Sequence, residues 1–243
     1  MSASGSQLHP PRTREARTHD LARGDSLVPA WVKELGRSVL SPVVRLAMAL
    51  HLSANAVTVL GLVIVAVAAV VLAAGQLLIA AIIVAAGSLL DAVDGALARQ
   101  NGGGTDFGGF LDSTLDRSGE GILYAGIAAY YLFHADQPAW PVLATLAALV
   151  GSFMVSYSRA RAEGIGLTAA VGLAPRTERL VLVVAGIALA GLGFAPALIG
   201  AIIVITVLSA ATVVQRIWHV RRLAGARQRA GLASAQQHEK ENG

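Results

Sequence analysis

Five stretches of this chain carry no charged residue, and they limit its fold more than any other feature. They span positions 54–74, 77–90, 121–134, 138–158 and 180–214. A helix that crosses a bilayer needs about 20 mainly apolar residues. The last stretch is too long for one crossing and suits two, folded back near Gly191, Gly193 and Pro196. Only 14% of the residues are charged, where a soluble domain has roughly 25%. Ala, Val, Leu, Ile and Gly fill the runs, and small residues let helices pack closely in lipid.

The expected architecture is therefore an all-α integral membrane protein. Its six transmembrane helices fall roughly at 55–74, 77–99, 108–133, 138–161, 177–195 and 197–220. Residues 1–30 are polar, hold Arg12, Arg14, Arg17 and Arg23, and read as a disordered arm with no cleavable signal. Residues 31–52 place Trp31, Val32, Leu35, Val39 and Leu40 on one helical face, punctuated by Lys33, Arg37 and Arg45. This segment reads as an N-terminal amphipathic helix in the membrane interface, or as a short cytoplasmic helix packed on the bundle. The six-helix domain then covers 53–222, and 223–243 reads as a disordered basic and polar tail. The chain has no cysteine, which excludes disulfide and thiolate chemistry.

Charge gives the orientation. With the N-terminus inside, all 19 Lys and Arg fall on the inner side. Arg99 and Arg117 end spans two and three, Arg159, Arg161, Arg176 and Arg179 surround the second inner loop, and the rest lie in the two terminal segments. The outer turns near Gly75, His134–Gln137 and Gly191–Pro196 have none. Such one-sidedness follows the positive-inside rule of cell (inner or plasma) membranes, with both termini cytoplasmic. The basic tails suit anionic lipid headgroups, and nucleic acid is not an expected partner.

Acidic residues near spans are costly and usually functional. Asp91 and Asp94 are three apart at the end of span two; Asp112 and Asp116 are four apart at the start of span three. Each pair shares a helical face, and the short loop 100–107 lets the pairs meet. Four close carboxylates repel unless a cation intervenes. Hard oxygen ligands select Mg²⁺, Mn²⁺ or Ca²⁺ rather than a soft metal, with Mg²⁺ or Mn²⁺ expected here, and four carboxylates can hold two ions. Gly95, the glycines at 102–104, 108 and 109, Thr105 and Arg99 surround the aspartates. Glycine lets a ligand approach the backbone and Arg suits phosphate, so a pyrophosphate bridged by metal is the simplest substrate.

The run Asp91, Asp94, Gly95, Ala98, Arg99, Gly108, Asp112, Asp116, at these spacings, resembles the signature of the CDP-alcohol phosphatidyltransferases, with every fixed position matched. The resemblance implies a membrane homodimer with a cytoplasm-facing site. It also implies attack of an alcohol on the β-phosphorus of a CDP-linked lipid such as CDP-diacylglycerol, with release of CMP. Asp91, Asp94 and Asp112 would bind metal, and Asp116 would be both ligand and general base. Gly95, Ala98, Arg99, Thr105 and Gly108 would contact the CDP part. So would Asn55, Ala56, Val57 and Thr58, which resemble the family's Asn-x-x-Thr element.

Four arginines, Arg159, Arg161, Arg176 and Arg179, lie on the aspartates' side of the membrane. A neutral alcohol would not need them, whereas a phosphorylated one would, because Arg binds phosphate in a fork. Positive-inside anchoring is the plainer account of the same charges. Within the family, residues 38–183 resemble the phosphatidylinositol phosphate synthases, which implies that these arginines hold the phosphate of inositol 3-phosphate. Arg159 replaces a usual Lys, and Thr168–Val171 lacks a polar loop often present there. Glycerol 3-phosphate presents the same phosphate and is the main competitor. A divalent cation transporter is the competing class, but it would want its carboxylates near the bilayer midplane.

Overall fold

The computed structural model describes residues 52–100 and 105–241, with the side chains of all these except 89, 91–100, 231 and 233–241. The expected arm and amphipathic helix lie almost wholly outside the described residues. The described chain is helical throughout: α1 (Ala54–Ala73), α2 (Leu77–Gln100), α3 (Asp106–His134), α4 (Ala139–Glu163), α5 (Arg176–Gly191) and α6 (Pro196–Glu241). Three of them, α1, α4 and α6, are long and apolar enough to cross a membrane.

Local chemistry sets the helix starts. Ser53 caps α1 by accepting from the Ala56 N–H at 3.2 Å, and Thr105 caps α3 by accepting from the Gly108 N–H at 3.0 Å. Each such cap is worth about 1 kcal/mol. At the far end, His134 Nε2 donates to the Ala73 carbonyl at 3.1 Å and ties the ends of α1 and α3 together.

Helix α1 packs on α2 and α3, α4 packs on α3 and α6, and α5 packs on α2 and α6. Leu72, Val84, Ile127, Ile187, Leu198 and Ile202 fill the centre. Large apolar side chains also point outward, among them Val70, Ile82, Leu143, Val150 and Val207. Helices apolar on both faces suit a lipid surround. In lipid the hydrophobic effect does not drive helix association, so close packing must do so. Gly126 shows how: a Cβ there would stand 2.8 Å from Ala69 Cα and 2.8 Å from its carbonyl oxygen, so only glycine lets α3 cross α1 this closely.

The C-terminal end corrects the sequence reading. From Arg221 to Glu241 the chain is helix, not a disordered tail, and α6 runs unbroken for 46 residues. Positions 221–241 contain no proline and are rich in Ala, Arg, Gln, Glu and Lys. These residues propagate a helix that the apolar segment has already nucleated. Helix α5 is also shorter than expected. It ends at Gly191, before a turn through Gly193 at φ 101°.

Candidate active site

A cleft opens where α1, α2, α3 and α5 meet. Thr58 and Gly61 line it from α1, Gly87 and Ser88 from α2, Asp116, Glu120 and Tyr124 from α3, and Arg176 and Arg179 from α5. Helix α1 packs on both α2 and α3, and only five residues separate the end of α2 from the start of α3, so those two ends lie at the same end of the bundle.

Asp112 and Asp116 are one turn apart on α3 and half-buried. Asp116 Oδ2 accepts from Arg176 Nη1 at 2.9 Å. One turn deeper, Arg179 is 1% exposed. Its Nε and Nη2 donate to Glu120 at 3.0–3.2 Å, and its Nη1 donates to the Ala174 carbonyl at 2.8 Å. The backbones of α3 and α5 are not closely packed on each other, and two parallel ion pairs span the cleft between them. Tyr124 closes the inner end, its hydroxyl 3.2 Å from Ser152 Oγ of α4.

The proposed nucleotide-side residues gather only partly. A Cβ at Gly108 would meet Thr105 Oγ1 at 3.1 Å and Asn55 Oδ1 at 3.3 Å, which places all three together at the head of α3. Thr58 is buried, donates to the Ala54 carbonyl at 3.0 Å, and lines the cleft. Val57 instead points into the core at 1% exposure, and Ala56 is exposed with its N–H used by the Ser53 cap. The side chains of Asp91, Asp94, Ala98 and Arg99, and the surroundings of Gly95, lie outside the described ones. The helix that carries these residues is continuous, and position 91 follows Ser88 by one turn.

The four arginines do not act as one group. Arg176 reaches Asp116. Arg179 sits one turn further into the bundle, where an unpaired charge would be costly, and its fork meets Glu120 and the Ala174 carbonyl. Arg159 pairs with Glu163 at 2.8 Å on the exposed side of α4, and Arg161 is exposed beside it. Sequence reasoning passed over Glu120, although it continues the four-residue series of Asp112 and Asp116. It also passed over Arg216, which is 6% exposed and donates to the Val171 and Val155 carbonyls.

The donor chemistry fits a hard divalent cation. Asp112 and Asp116 offer only carboxylate oxygens, and among the described residues neither His nor Cys lines the cleft. Among the described residues no three His, Cys, Asp or Glu converge. Asp91 and Asp94, the other two expected ligands, have side chains outside the described ones.

Residues 51–226 match the family model for CDP-alcohol phosphatidyltransferase. The chain is 45% identical over 139 residues to phosphatidylinositol phosphate synthase of Mycolicibacterium smegmatis, covering 56% of this chain and 62% of that one. It is 45% identical over 131 residues to archaetidylinositol phosphate synthase of Methanothermobacter thermautotrophicus, covering 54% and 63%. The match thus spans less than two thirds of these curated relatives' own length. Its fold is similar to a crystal structure of Mycobacterium tuberculosis phosphatidylinositol phosphate synthase with CDP-DAG bound: TM-score 0.70, 35% identity, 75% of this chain and 94% of that one. The same enzyme in complex with manganese and citrate also gives a TM-score of 0.70. The match over residues 51–226, which include Asp112 and Asp116, establishes that this chain belongs to the CDP-alcohol phosphatidyltransferase family.

Proposed function

We propose that the chain transfers a phosphatidyl group from CDP-diacylglycerol to a phosphorylated alcohol, inositol 3-phosphate, and releases CMP. The observation that carries this reading is the 2.9 Å pair between Asp116 and Arg176. It puts a carboxylate able to take a proton beside a cation able to hold a phosphate. The named relatives with inositol phosphate products support the choice of acceptor.

In this mechanism Asn55, Thr58, Thr105, Gly108, Gly95, Ala98 and Arg99 hold the CDP part, while Arg176 anchors the acceptor's phosphate. Asp116 takes the proton from the acceptor hydroxyl as its oxygen bonds to the β-phosphorus. The bond from that phosphorus to the CMP oxygen breaks, and CMP leaves with the electron pair. Asp91, Asp94, Asp112 and Asp116 would hold Mg²⁺ or Mn²⁺, as two ions, which supply polarisation of the pyrophosphate. All six helices span a cell membrane, with the cleft mouth and both termini cytoplasmic, and the enzyme works as a homodimer. Asp112 and Asp116 belong to the first three turns of α3, near a membrane face, which favours surface chemistry over a transport site.

The test is CMP release by the purified protein in lipid nanodiscs with CDP-diacylglycerol and Mn²⁺, given inositol 3-phosphate, glycerol 3-phosphate, inositol or serine in turn. Release with inositol 3-phosphate above the other three is expected. Silence with every acceptor would end the transferase reading, and a response to glycerol 3-phosphate alone would end the acceptor assignment.

A further inference from the structure

Three buried side chains, Arg216, Thr212 and Arg179, hold the short strap that leads into α5. Arg216 Nε donates to the Val171 carbonyl at 2.8 Å. Thr212 Oγ1 accepts from both the Leu173 and the Ala174 N–H, at 3.1 and 3.2 Å. Gly172 adopts φ 145° against Thr212, where a Cβ would come within 2.4 Å of Thr212 Cγ2. Arg179 closes the strap by donating to the Ala174 carbonyl, and Glu120 fixes Arg179 from α3. Pro175 then turns the chain into α5, whose N-terminus has no side-chain cap. Arg176 is the first helical residue. Its place is therefore set by the strap rather than by a cap.

The Glu120–Arg179 pair is an uneconomical way to stabilise a bundle. A buried ion pair gains little over apolar residues of the same volume, though it can fix one geometry among several. Here it fixes the approach to the cleft: Arg179 grips the residue two before Arg176, and Glu120 lies one turn from Asp116 on the same face.

We propose that Glu120 is a positioning residue for the acceptor side of the site: through Arg179 and the pinned strap it sets where Arg176 stands relative to Asp116. This rests on the reading that Arg176 takes the acceptor's phosphate. Glu120 itself touches neither acceptor nor CDP-lipid. Its loss moves the cation and leaves the nucleotide side as it was.

The experiment is a kinetic cycle on the full chain in nanodiscs with CDP-diacylglycerol, Mn²⁺ and inositol 3-phosphate. Glu120→Gln raises the acceptor KM about tenfold while the KM for CDP-diacylglycerol stays within about twofold. In an Arg176→Gln background the same Glu120→Gln change adds less than about a further twofold, because it acts through Arg176. Multiplying losses, or a loss shared equally by both substrates, would overturn the proposal. Should Glu120→Gln fail to fold, the doubly apolar Glu120→Met, Arg179→Met variant replaces it. That variant removes the grip on Ala174 without stranding a charge, and a normal acceptor KM there would also overturn the proposal. Wild-type protein that releases no CMP with inositol 3-phosphate overturns the functional reading itself, and the cycle separates that result from failure of the positioning role alone.

Discussion

Asp116 and Arg176 meet at 2.9 Å across a gap that their own helices do not close by packing. Both side chains keep some solvent contact, at 18% and 40% exposure, so the pair adds at most about 1 kcal/mol to stability. Its value is positional. Arg176→Gln should therefore fold with a Tm close to wild type and lose affinity for the acceptor. A charge-assisted bond to phosphate is worth roughly 1.5–3 kcal/mol, which corresponds to about 10- to 150-fold in acceptor KM. Initial rates at varied acceptor concentration measure it.

Asp116→Asn keeps the size of the side chain and one of its oxygens but cannot take a proton. Turnover should fall by about 10²–10⁴-fold, the usual range for loss of a general base. Far-UV circular dichroism and size exclusion in detergent should match wild type. CMP release within a few-fold of wild type would remove Asp116 from its role as base.

Metal removal gives a separate prediction. EDTA should abolish CMP release, and added Mn²⁺ or Mg²⁺ should restore it. Asp112→Asn removes one anionic ligand and should shift the Mn²⁺ concentration for half-activity upward by about 10-fold or more. Calorimetric titration of Mn²⁺ into the apoprotein checks the same shift without turnover. An unchanged Mn²⁺ requirement would mean that Asp112 is not a ligand.

Two glycines of the same helix should respond in opposite ways. Gly126→Ala drives a Cβ to 2.8 Å from the Ala69 backbone and must part α3 from α1. The cost should be about 1–3 kcal/mol, read as a lower Tm in detergent. A Cβ at Gly109 meets nothing within 4 Å among the described residues, so Gly109→Ala should leave the Tm unchanged or slightly higher.

The sequence made the helices legible because each apolar run is bounded by charge or by Gly and Pro. The start of α3 is one example, with Thr105 supplying the cap before Asp106. The length of α6 was hidden because hydropathy stops near Val214 while helix propensity continues through Ala224, Arg227 and Gln228. Asp112 and Asp116 were legible from their spacing. The division of labour between Arg176 and Arg179 was not. A spacing of three puts both on one face, and only their depth in the bundle makes one a cation at the cleft mouth and the other a buried strut. The strap was invisible for a related reason. Thr212 and Arg216 grip backbone groups some 40 residues away, and a grip on backbone leaves no partner side chain to read in the sequence.

The gap between α3 and α5 also bears on how such a chain can diversify. In the proposed mechanism the residues that hold the CDP part end by Asp116, while the cation for the incoming alcohol stands on α5 at Arg176. Helix α5 packs on α2 and α6, yet it meets α3 through two side-chain bridges. Substitutions in the strap and the first turn of α5 therefore need little matching repair in α3. On that mechanism a lineage of such chains can retune which alcohol it accepts through this one turn and inherit the nucleotide-lipid chemistry unchanged.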